Sequence, residues 1–252
     1  MASIIYGINP ITEILKRNNS KDLAKIFLAR SLAGDRIKKI LRIAEKKGIK
    51  IIRIDKNNLS RITGTTKHQG IAAYCEKIYN YYSLEDLIFE WKSSGKKSFF
   101  LILDHIQDPH NLGALIRTAH LAGVHGIIIP EKRACEITPS VIKSSSGAVY
   151  HTKICKVTNI SRIIDNLKEE RIWFVGSTIN KGTSLYSFDG RGDIGLVIGN
   201  EEKGISALVE KKCDYLIKIP MHGKINALNA SVAGGIILFE IFRQRLKNQD
   251  KN

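Results

Sequence analysis

The sequence is poor in the residues that build disulfide frameworks and membrane spans. Its 252 residues include four cysteines and no C-x-x-C pair, and scattered cysteines are typical of reduced thiols in a cytosolic protein. No run of about 18 apolar residues occurs, so we expect no membrane span. The first residues lack the basic and apolar regions of a signal peptide. We therefore predict a cytoplasmic protein.

Common nucleotide motifs and metal-ligand patterns are also missing. The chain has neither G-x-G-x-x-G after a first strand nor a P-loop, which argues against a nicotinamide dehydrogenase and against an NTPase. Its seven histidines are dispersed and show no ligand spacing with the cysteines. The sequence therefore predicts no metal site.

Acidic residues are scarce relative to basic ones. The chain has 24 Asp and Glu against 40 Lys and Arg, a net charge of +16. Residues 1–76 hold 16 of the basic and 6 of the acidic residues. Such an excess is typical of nucleic-acid binding, although a lysine-rich solvated surface would give a similar count. The basic residues are spread over several elements, which does not favour a membrane-surface helix.

The pattern of apolar residues divides the chain into two domains. Residues 1–76 predict a small α/β domain, with strands at 3–6, 25–29, 50–54 and 70–75 and a helix that Asp35 caps. Residues 77–97 form a predicted linker, and 98–252 a larger domain. Continuous apolar runs at 99–103, 126–129, 172–175, 194–198 and 215–219 favour parallel strands buried on both faces. Helical patterns lie at 111–122, 138–146, 160–169, 205–212 and 228–246.

Three loops of the larger domain carry candidate chemistry. In the first, Asn111 is a predicted helix cap, and Arg117 follows six residues later among apolar neighbours. Such an arginine must reach water, pair with a carboxylate or meet an anion. In the second, Gly199 directly follows a strand and allows a ligand to approach the backbone. Glu201 then begins a turn, where it could equally favour a helix N-terminus.

The third loop, 219–233, joins a strand to the last helix. Pro220 removes a backbone donor and Gly223 permits positive φ, so the loop is poor packing material. Loops at the carboxyl ends of parallel strands are where α/β proteins bind ligands. Gly234 and Gly235 in the following helix cost about 1 kcal/mol each relative to alanine. We expect a close helix–helix or subunit contact there.

Together the three segments resemble the motifs of the SpoU (TrmH) family of RNA ribose 2′-O-methyltransferases. The matching residues, in order, are Asn111-x5-Arg117, Gly199-x-Glu201-x-x-Gly204, and Ile219-Pro-Met followed by Leu228-Asn229. The segments 108–113, 122–125 and 238–245 are similar to the subgroup that methylates guanosine in 23S ribosomal RNA. That subgroup begins with a small RNA-binding domain like a ribosomal protein, which residues 1–76 match in size, order and charge.

The resemblance implies a parallel α/β SPOUT-type domain with a carboxyl-terminal trefoil knot, S-adenosylmethionine as cofactor, and a homodimer. It implies cofactor contacts at Gly199, Ile219, Leu228, Met221, Thr178 and Gly176. It implies an active site of Asn111, Arg117, Glu201 and Asn229. The family assigns deprotonation of the ribose to the arginine. Because guanidinium is normally always charged, stabilising the alkoxide or clamping a phosphate is easier for it.

One position departs from the family pattern. The family usually has serine before the Leu-Asn of its third motif, whereas this chain has Ala227. This difference keeps open a non-catalytic RNA-binding or ribosome-assembly protein. The motifs also leave open methylation of another rRNA nucleotide or of tRNA, because surface residues and the first domain set the target.

Overall fold

The structure is a computed structural model that describes residues 3–17, 23–223 and 227–249. The chain forms two compact units. The first comprises the residues up to 80 together with 136–151, and the second comprises 81–135 and the residues from 152 onward. Residues 136–151 thus group with the small amino-terminal unit, although they lie within the larger domain of the sequence analysis. The boundaries 1–76, 77–97 and 98–252 stay a prediction.

The first unit is built on a mixed four-stranded sheet. Its elements are β1 (Ser3–Tyr6), α1 (Ile8–Lys16), β2 (Leu23–Ala29), α2 (Asp35–Lys46), β3 (Lys50–Ile54), α3 (Lys56–Thr63) and β4 (Ile71–Cys75). The strand order is β1-β4-β2-β3. Only β2 and β3 run parallel, and β4 is antiparallel to both of its neighbours. The predicted α/β character of this unit is confirmed.

The start of α2 differs from the prediction by one residue. Gly34 is the N-cap, with φ 121°, and Asp35 lies in the first turn. The predicted cap at Asp35 is therefore wrong. A carboxylate in the first turn still suits the positive end of the helix dipole, which is why Asp35 resembles a cap in the sequence.

The second unit is built on a seven-stranded sheet in which every pair of neighbours is parallel. The remaining elements of the chain are α4 (Leu84–Ser94), β5 (Phe99–Asp104), α5 (Pro109–Leu121), β6 (Gly126–Pro130), α6 (Pro139–Ser144), β7 (Ile154–Val157), α7 (Ile160–Glu169), β8 (Trp173–Thr178), β9 (Thr183–Ser184), β10 (Ile194–Gly199), α8 (Ala207–Lys212), β11 (Tyr215–Lys218) and α9 (Ala230–Gln249). Of these, α6 belongs to the first unit. The strand order is β7-β6-β5-β10-β8-β11-β9.

Burial of the central strands explains why their sequences are continuously apolar. Every residue of β5, β6 and β10 is buried. Helices cover both faces of such a sheet, so an alternating pattern is neither needed nor seen. The predicted parallel α/β fold is confirmed. The predicted trefoil knot involves a loop whose residues 224–226 lie outside the described residues, and it stays a prediction.

The close approach predicted for the glycine pair of α9 is found at Gly234, whereas a Cβ at Gly235 would meet only Thr118 Cγ2, at 3.8 Å. A Cβ at Gly234 would overlap the side chain of Leu115 and lie 2.7 Å from Ile198 Cδ1. Since Leu115 belongs to α5 and Ile198 to β10, the glycine lets α9 pack tightly on both elements. The contact is within one chain.

Helix α4 occupies most of the predicted linker. Ser83 caps it in a capping box with Asp86, and Leu87 is fully buried in the second unit's core. Within the described ranges, no helix is long and apolar enough to cross a membrane.

Candidate active site

The loop after β10 requires glycine at its first position. Asn200 and Gly204 exchange two backbone hydrogen bonds, of 3.1 and 2.9 Å, which fold the loop back on itself. A Cβ at Gly199 would overlap the backbone of Gly204 and Ile205. Gly199 is thus fixed by its own loop, a different reason from the ligand approach inferred from the sequence.

The carboxyl ends of β8, β10 and β11 surround a cleft that we call the strand-end cavity. Its cavity volume is about 70 Å³. The lining is mostly apolar, with few polar side chains. It comprises Ser177, Thr178, Ile179, Ile198, Gly199, Asn200, Glu201, Gly204, Ile219, Met221, Ala227, Leu228, Ala230 and Ala233.

The cavity brings together most of the predicted cofactor contacts. Thr178, Gly199, Ile219, Met221 and Leu228 all lie in its wall. They come from three segments far apart in the chain, which meet because parallel strands end at one edge of the sheet.

Gly176 is the predicted cofactor contact that lies outside the described lining. A Cβ built on it would lie 3.0 Å from both Cys213 Sγ and Leu216 Cδ2. It therefore packs against the side chains of α8's end and β11. Its role in cofactor binding stays a prediction.

Asn111 and Glu201 meet, as the motifs imply. The Asn111 side-chain amide donates to Glu201 Oε1, which lines the strand-end cavity. Asn111 is buried inside α5 and is not its cap. The cap is Asp108, whose carboxylate accepts from the backbone N–H of His110 at 2.9 Å. The predicted capping role of Asn111 is wrong, because α5 begins two residues earlier, at Pro109.

Hydrogen bonds from the start of α9 orient the side-chain amide of Asn229. Its Oδ1 accepts from the backbone N–H of Ser231 at 3.0 Å and from Ser231 Oγ at 2.6 Å. A third donor, the N–H of Val232, lies at 3.4 Å. With its oxygen engaged as an N-cap acceptor, the side chain has its NH₂ group for donation. Its neighbours Leu228 and Ala230 line the cavity.

Arg117 is not among the described residues that line the strand-end cavity. It lies on α5 with an exposed side chain. It follows Asn111 by six positions, which places the two side chains about 120° apart around the helix axis. The two side chains therefore lie on different faces of α5, and neither is among the described residues that line the cavity, although the motif places them together in the sequence.

A hydrogen-bonded pair beside the cavity was missed in the sequence. Asp104, at the end of β5, has a side chain only 1% exposed. Its Oδ1 lies 2.6 Å from His105 Nδ1, and its Oδ2 accepts from the N–H of Ser206 at 2.7 Å. Asn200 Nδ2 donates to the His105 carbonyl at 3.1 Å. The available signal was a polar Asp-His step directly after a buried strand.

The two cysteines of the second unit's core are unsuited to nucleophilic chemistry. Burial raises the pKa of Cys213 to about 12 and that of Cys155 to about 11. Both therefore remain thiols at neutral pH, and the thiolate is the reactive form. The four cysteines, all within the described ranges, form no disulfide. The part of the chain that the structure describes contains no cluster of His, Cys, Asp and Glu suited to a metal ion.

The fold and cavity together define an α/β protein with a ligand site at the carboxyl edge of a parallel sheet. Two family models match the chain. The SpoU rRNA Methylase family model covers residues 98–239, and the model for RNA 2′-O ribose methyltransferase substrate binding covers residues 4–81. The chain belongs to the SpoU rRNA methylase family. That membership makes it an RNA 2′-O-methyltransferase with S-adenosylmethionine as its methyl donor.

Relatives match over almost the whole chain. A putative TrmH family tRNA/rRNA methyltransferase of Bacillus subtilis, YacO, is 39% identical, covering 96% of this chain and 95% of the relative. The 23S rRNA (guanosine-2′-O-)-methyltransferase RlmB of Coxiella burnetii is 37% identical, with the same coverage of both chains. The solved SpoU methyltransferase AviRb of Streptomyces viridochromogenes, in complex with AdoMet, has a TM-score of 0.79 at 24% identity and covers 98% of this chain and 91% of that chain. This last likeness concerns the fold.

Proposed function

We propose that this protein transfers a methyl group from S-adenosylmethionine to the ribose 2′-oxygen of a guanosine in 23S ribosomal RNA. We propose that it does so in the cytoplasm. The observation that carries the proposal is the strand-end cavity, whose wall includes Glu201, the acceptor of a hydrogen bond from Asn111. The guanosine target is supported by the Coxiella burnetii relative, which is similar along both units.

The cofactor's fit is supported by the character of the cavity wall. Apolar side chains from Ile219, Met221 and Leu228 line it beside the backbone of Gly199 and the polar Thr178. These five residues would hold the cofactor, which supplies a methyl group activated by a positively charged sulfur. The protein's own contribution is orientation, because aligned reactants can gain a large part of the rate acceleration.

In this proposal, a second copy of the chain supplies Arg117 to the site. The side chain is exposed on α5 and lies outside the described lining of its own cavity. A homodimer that presents α5 to the partner's cavity would complete the site. There the guanidinium would clamp a phosphate or stabilise the alkoxide, and Asn229 would donate from its NH₂ group.

The first unit is proposed to dock folded rRNA through its phosphates. Residues 1–76 carry most of the chain's excess positive charge, and the substrate-binding model covers residues 4–81. Phosphate contacts position a protein on RNA, while exposed bases and RNA shape select the site.

Mapping of ribose methylation across rRNA and tRNA tests the target. Cells that contain the protein are compared with cells that lack it, and the purified protein is then offered the candidate rRNA fragment with labelled cofactor. We expect one 23S guanosine to lose its methyl group in the deletion strain and to regain it in vitro. Loss at a tRNA position instead would support the second target class, which the name of the Bacillus subtilis relative includes.

A further inference from the structure

A second cavity lies beside the strand-end cavity and contains groups that the proposed function has not used. Its cavity volume is about 480 Å³. Its wall comprises Asp104, His105, Gln107, Asp108, Arg133, Asn200, Glu201, Glu202, Lys203, Gly204 and Ser206. Asn200, Glu201 and Gly204 line both cavities. A nucleotide in the second cavity would therefore lie next to the proposed methyl-donor site.

His105 has an unusual backbone conformation in this wall. Its φ is 63°, in the left-handed region, which is uncommon for residues other than glycine, although asparagine, aspartate and histidine adopt it more often than the rest. The bond from Asn200 to its carbonyl and the bond from its ring to Asp104 hold it there. Strained residues cluster at functional sites, and an observed outlier supports a hypothesis of function.

The contact with Asp104 determines how the imidazole is protonated. An ionised carboxylate only accepts hydrogen bonds, so Nδ1 of His105 must donate to Asp104. In the neutral ring, Nε2 is then the acceptor nitrogen. The ring is 36% exposed, whereas the carboxylate behind it is 1% exposed. This is the arrangement of a histidine base oriented by a buried acid.

We infer that the Asp104–His105 pair accepts the proton of the ribose 2′-hydroxyl, directly or through one water. The inference rests on the proposed ribose methylation but not on the 23S target. As the oxygen–methyl bond forms, the methyl–sulfur bond breaks and its electron pair stays on sulfur. The O–H electron pair remains on the ribose oxygen, and the proton moves to Nε2. The imidazolium is stabilised by Asp104 and later releases its proton to water.

Other charged groups at the second cavity are less suited to this step. Glu201 already accepts a hydrogen bond from Asn111. Arg133 and Lys203 are cations, and Arg117 carries a guanidinium that keeps its proton. The remaining charged groups of the wall are Asp108 and Glu202. Asp108 is engaged as the cap of α5, and Glu202 lies on the exposed face of its loop.

The test is single-turnover methylation at saturating RNA and cofactor between about pH 5.5 and 9.5. The RNA is whichever substrate the unchanged protein methylates, so a wrong 23S assignment does not affect the result. We expect the rate of the unchanged protein to rise with pH and then to level off, as in a reaction that needs one unprotonated base. His105→Gly should be about 10²-fold slower or more at neutral pH, should lose the plateau, and should regain rate with added imidazole.

Backbone effects are separated by matched variants. Glycine relieves the positive φ at position 105, so His105→Gly should fold. Arg171→Gly is the control, because Arg171 has a similar φ of 62° on an exposed turn before β8, and it should leave the rate unchanged. Asparagine tolerates the same backbone conformation. His105→Asn should therefore methylate as slowly as His105→Gly does when no imidazole is added.

A measurement without cofactor gives a second readout. ¹⁵N NMR of the cofactor-free protein should show His105 with its proton on Nδ1 at neutral pH, and RNA should shift the Nε2 signal. An unchanged rate in His105→Gly would overturn the inference. So would a lower rate with the same pH profile, because that result indicates positioning alone, and so would an Nε2-protonated ring.

Discussion

The two units differ in how their strands are buried, and the difference separates recognition from chemistry. In the first unit, β2 and β4 are largely buried, but the edge strands β1 and β3 have one buried residue between them. In the second unit, β5 and β10 are buried throughout. A sheet covered on both faces can offer a ligand only its strand ends, whereas a half-exposed, basic unit offers a broad surface. We therefore expect changes at the strand ends to affect methyl transfer, and changes in the first unit to affect RNA affinity.

The largest expected effect comes from Gly199→Ala. The added Cβ overlaps the backbone of Gly204 and Ile205, so the loop that carries Glu201 must move. We expect cofactor binding to become undetectable by calorimetry. Overpacking of this kind costs about 1–3 kcal/mol of unfolding free energy, which urea unfolding would measure.

The control for this variant is Gly192→Ala. A Cβ at Gly192 meets no atom within 4 Å, and its φ is outside the positive range. It should bind cofactor normally. If Gly199→Ala also binds cofactor normally, the strand-end cavity is not the cofactor site. The expectation that changes at the strand ends of the second unit affect methyl transfer would then be wrong.

The second effect in size is that of Arg117→Ala. We expect single-turnover methylation to fall at least about 10²–10³-fold, the range seen when a donor to a developing oxyanion is removed. Cofactor affinity should survive, because Arg117 lies outside the described lining of the cavity. Calorimetry and single-turnover rates measure the two quantities separately.

Complementation sharpens this result. If the arginine acts in the partner's site, mixing Arg117→Ala with inactive Glu201→Ala protein should restore up to about one quarter of the activity, through mixed dimers that contain one intact site. Unchanged methylation in Arg117→Ala would remove the residue from the proposed mechanism. No recovery on mixing would place its action within one chain.

Asn111 and Arg117 lie on different faces of α5, and this arrangement could not be predicted from the sequence alone. The spacing of Asn111 and Arg117 matches the family motif, yet a helix turns about 100° per residue and separates them. Local sequence does not determine whether a second chain brings the arginine back. The same limit applies to Gly176, which lies one residue beyond the strand predicted at 172–175 but within β8, where the packing of the sheet determines which way it faces.

The long elements could be predicted because their signals are strong. The apolar runs of β5 and β10 and the helical pattern of α7, found at Ile160–Glu169 as predicted, each fill several turns or a whole buried strand. The short strands β7 and β9 were missed. β7 has four residues and includes Lys156, and β9 has two residues, so neither offers a period to detect.

His105 illustrates a different gap. Its position after a strand was visible, but its φ of 63° and its bond to Asp104 arise from tertiary contacts with Asn200 and Ser206. Those partners lie about a hundred residues away. Sequence patterns report local conformation, and contacts at that separation depend on how the sheet is assembled.

A third effect concerns the first unit. The exposed face of α2 carries Arg36, Lys39 and Arg42, so replacing all three with glutamine should weaken RNA binding. If each contacts a phosphate of an RNA duplex, the slope of log affinity against log salt should fall by about 3 in magnitude. The rate at saturating RNA should stay the same. Filter binding across a salt series and single-turnover rates measure both.

The control removes the same charge from the second unit. Arg162, Arg171 and Lys211 are exposed there, and their replacement with glutamine should change the salt slope little. Equal slopes in the two triple variants would show that net charge, and not the first unit's surface, determines RNA affinity. A lower methylation rate at saturating RNA in the α2 variant would show that the first unit also affects methyl transfer, and not RNA affinity alone.

The smallest effect is expected from Ala227→Ser, which restores the family's usual residue. Ala227 lines the strand-end cavity and is exposed, so the hydroxyl fits without a clash. A hydrogen bond contributes about 0.5–1.5 kcal/mol net, which limits the gain in single-turnover rate to about tenfold. We expect less, because Ser231 Oγ already bonds to Asn229 Oδ1 and fixes the amide beside this position.

A double variant that combines Ala227→Ser with Ser231→Ala tests whether the introduced hydroxyl and the Ser231 hydroxyl both orient the Asn229 amide. Loss of Ser231 should slow the unchanged chain, and Ala227→Ser should recover part of that rate if both hydroxyls orient the same amide. If the gains and losses are independent, the serine of the family acts on the RNA and not on Asn229. A gain of 10²-fold or more from Ala227→Ser alone would mean that the natural chain is a poor methyltransferase. RNA binding by the first unit would then be the main function of the protein.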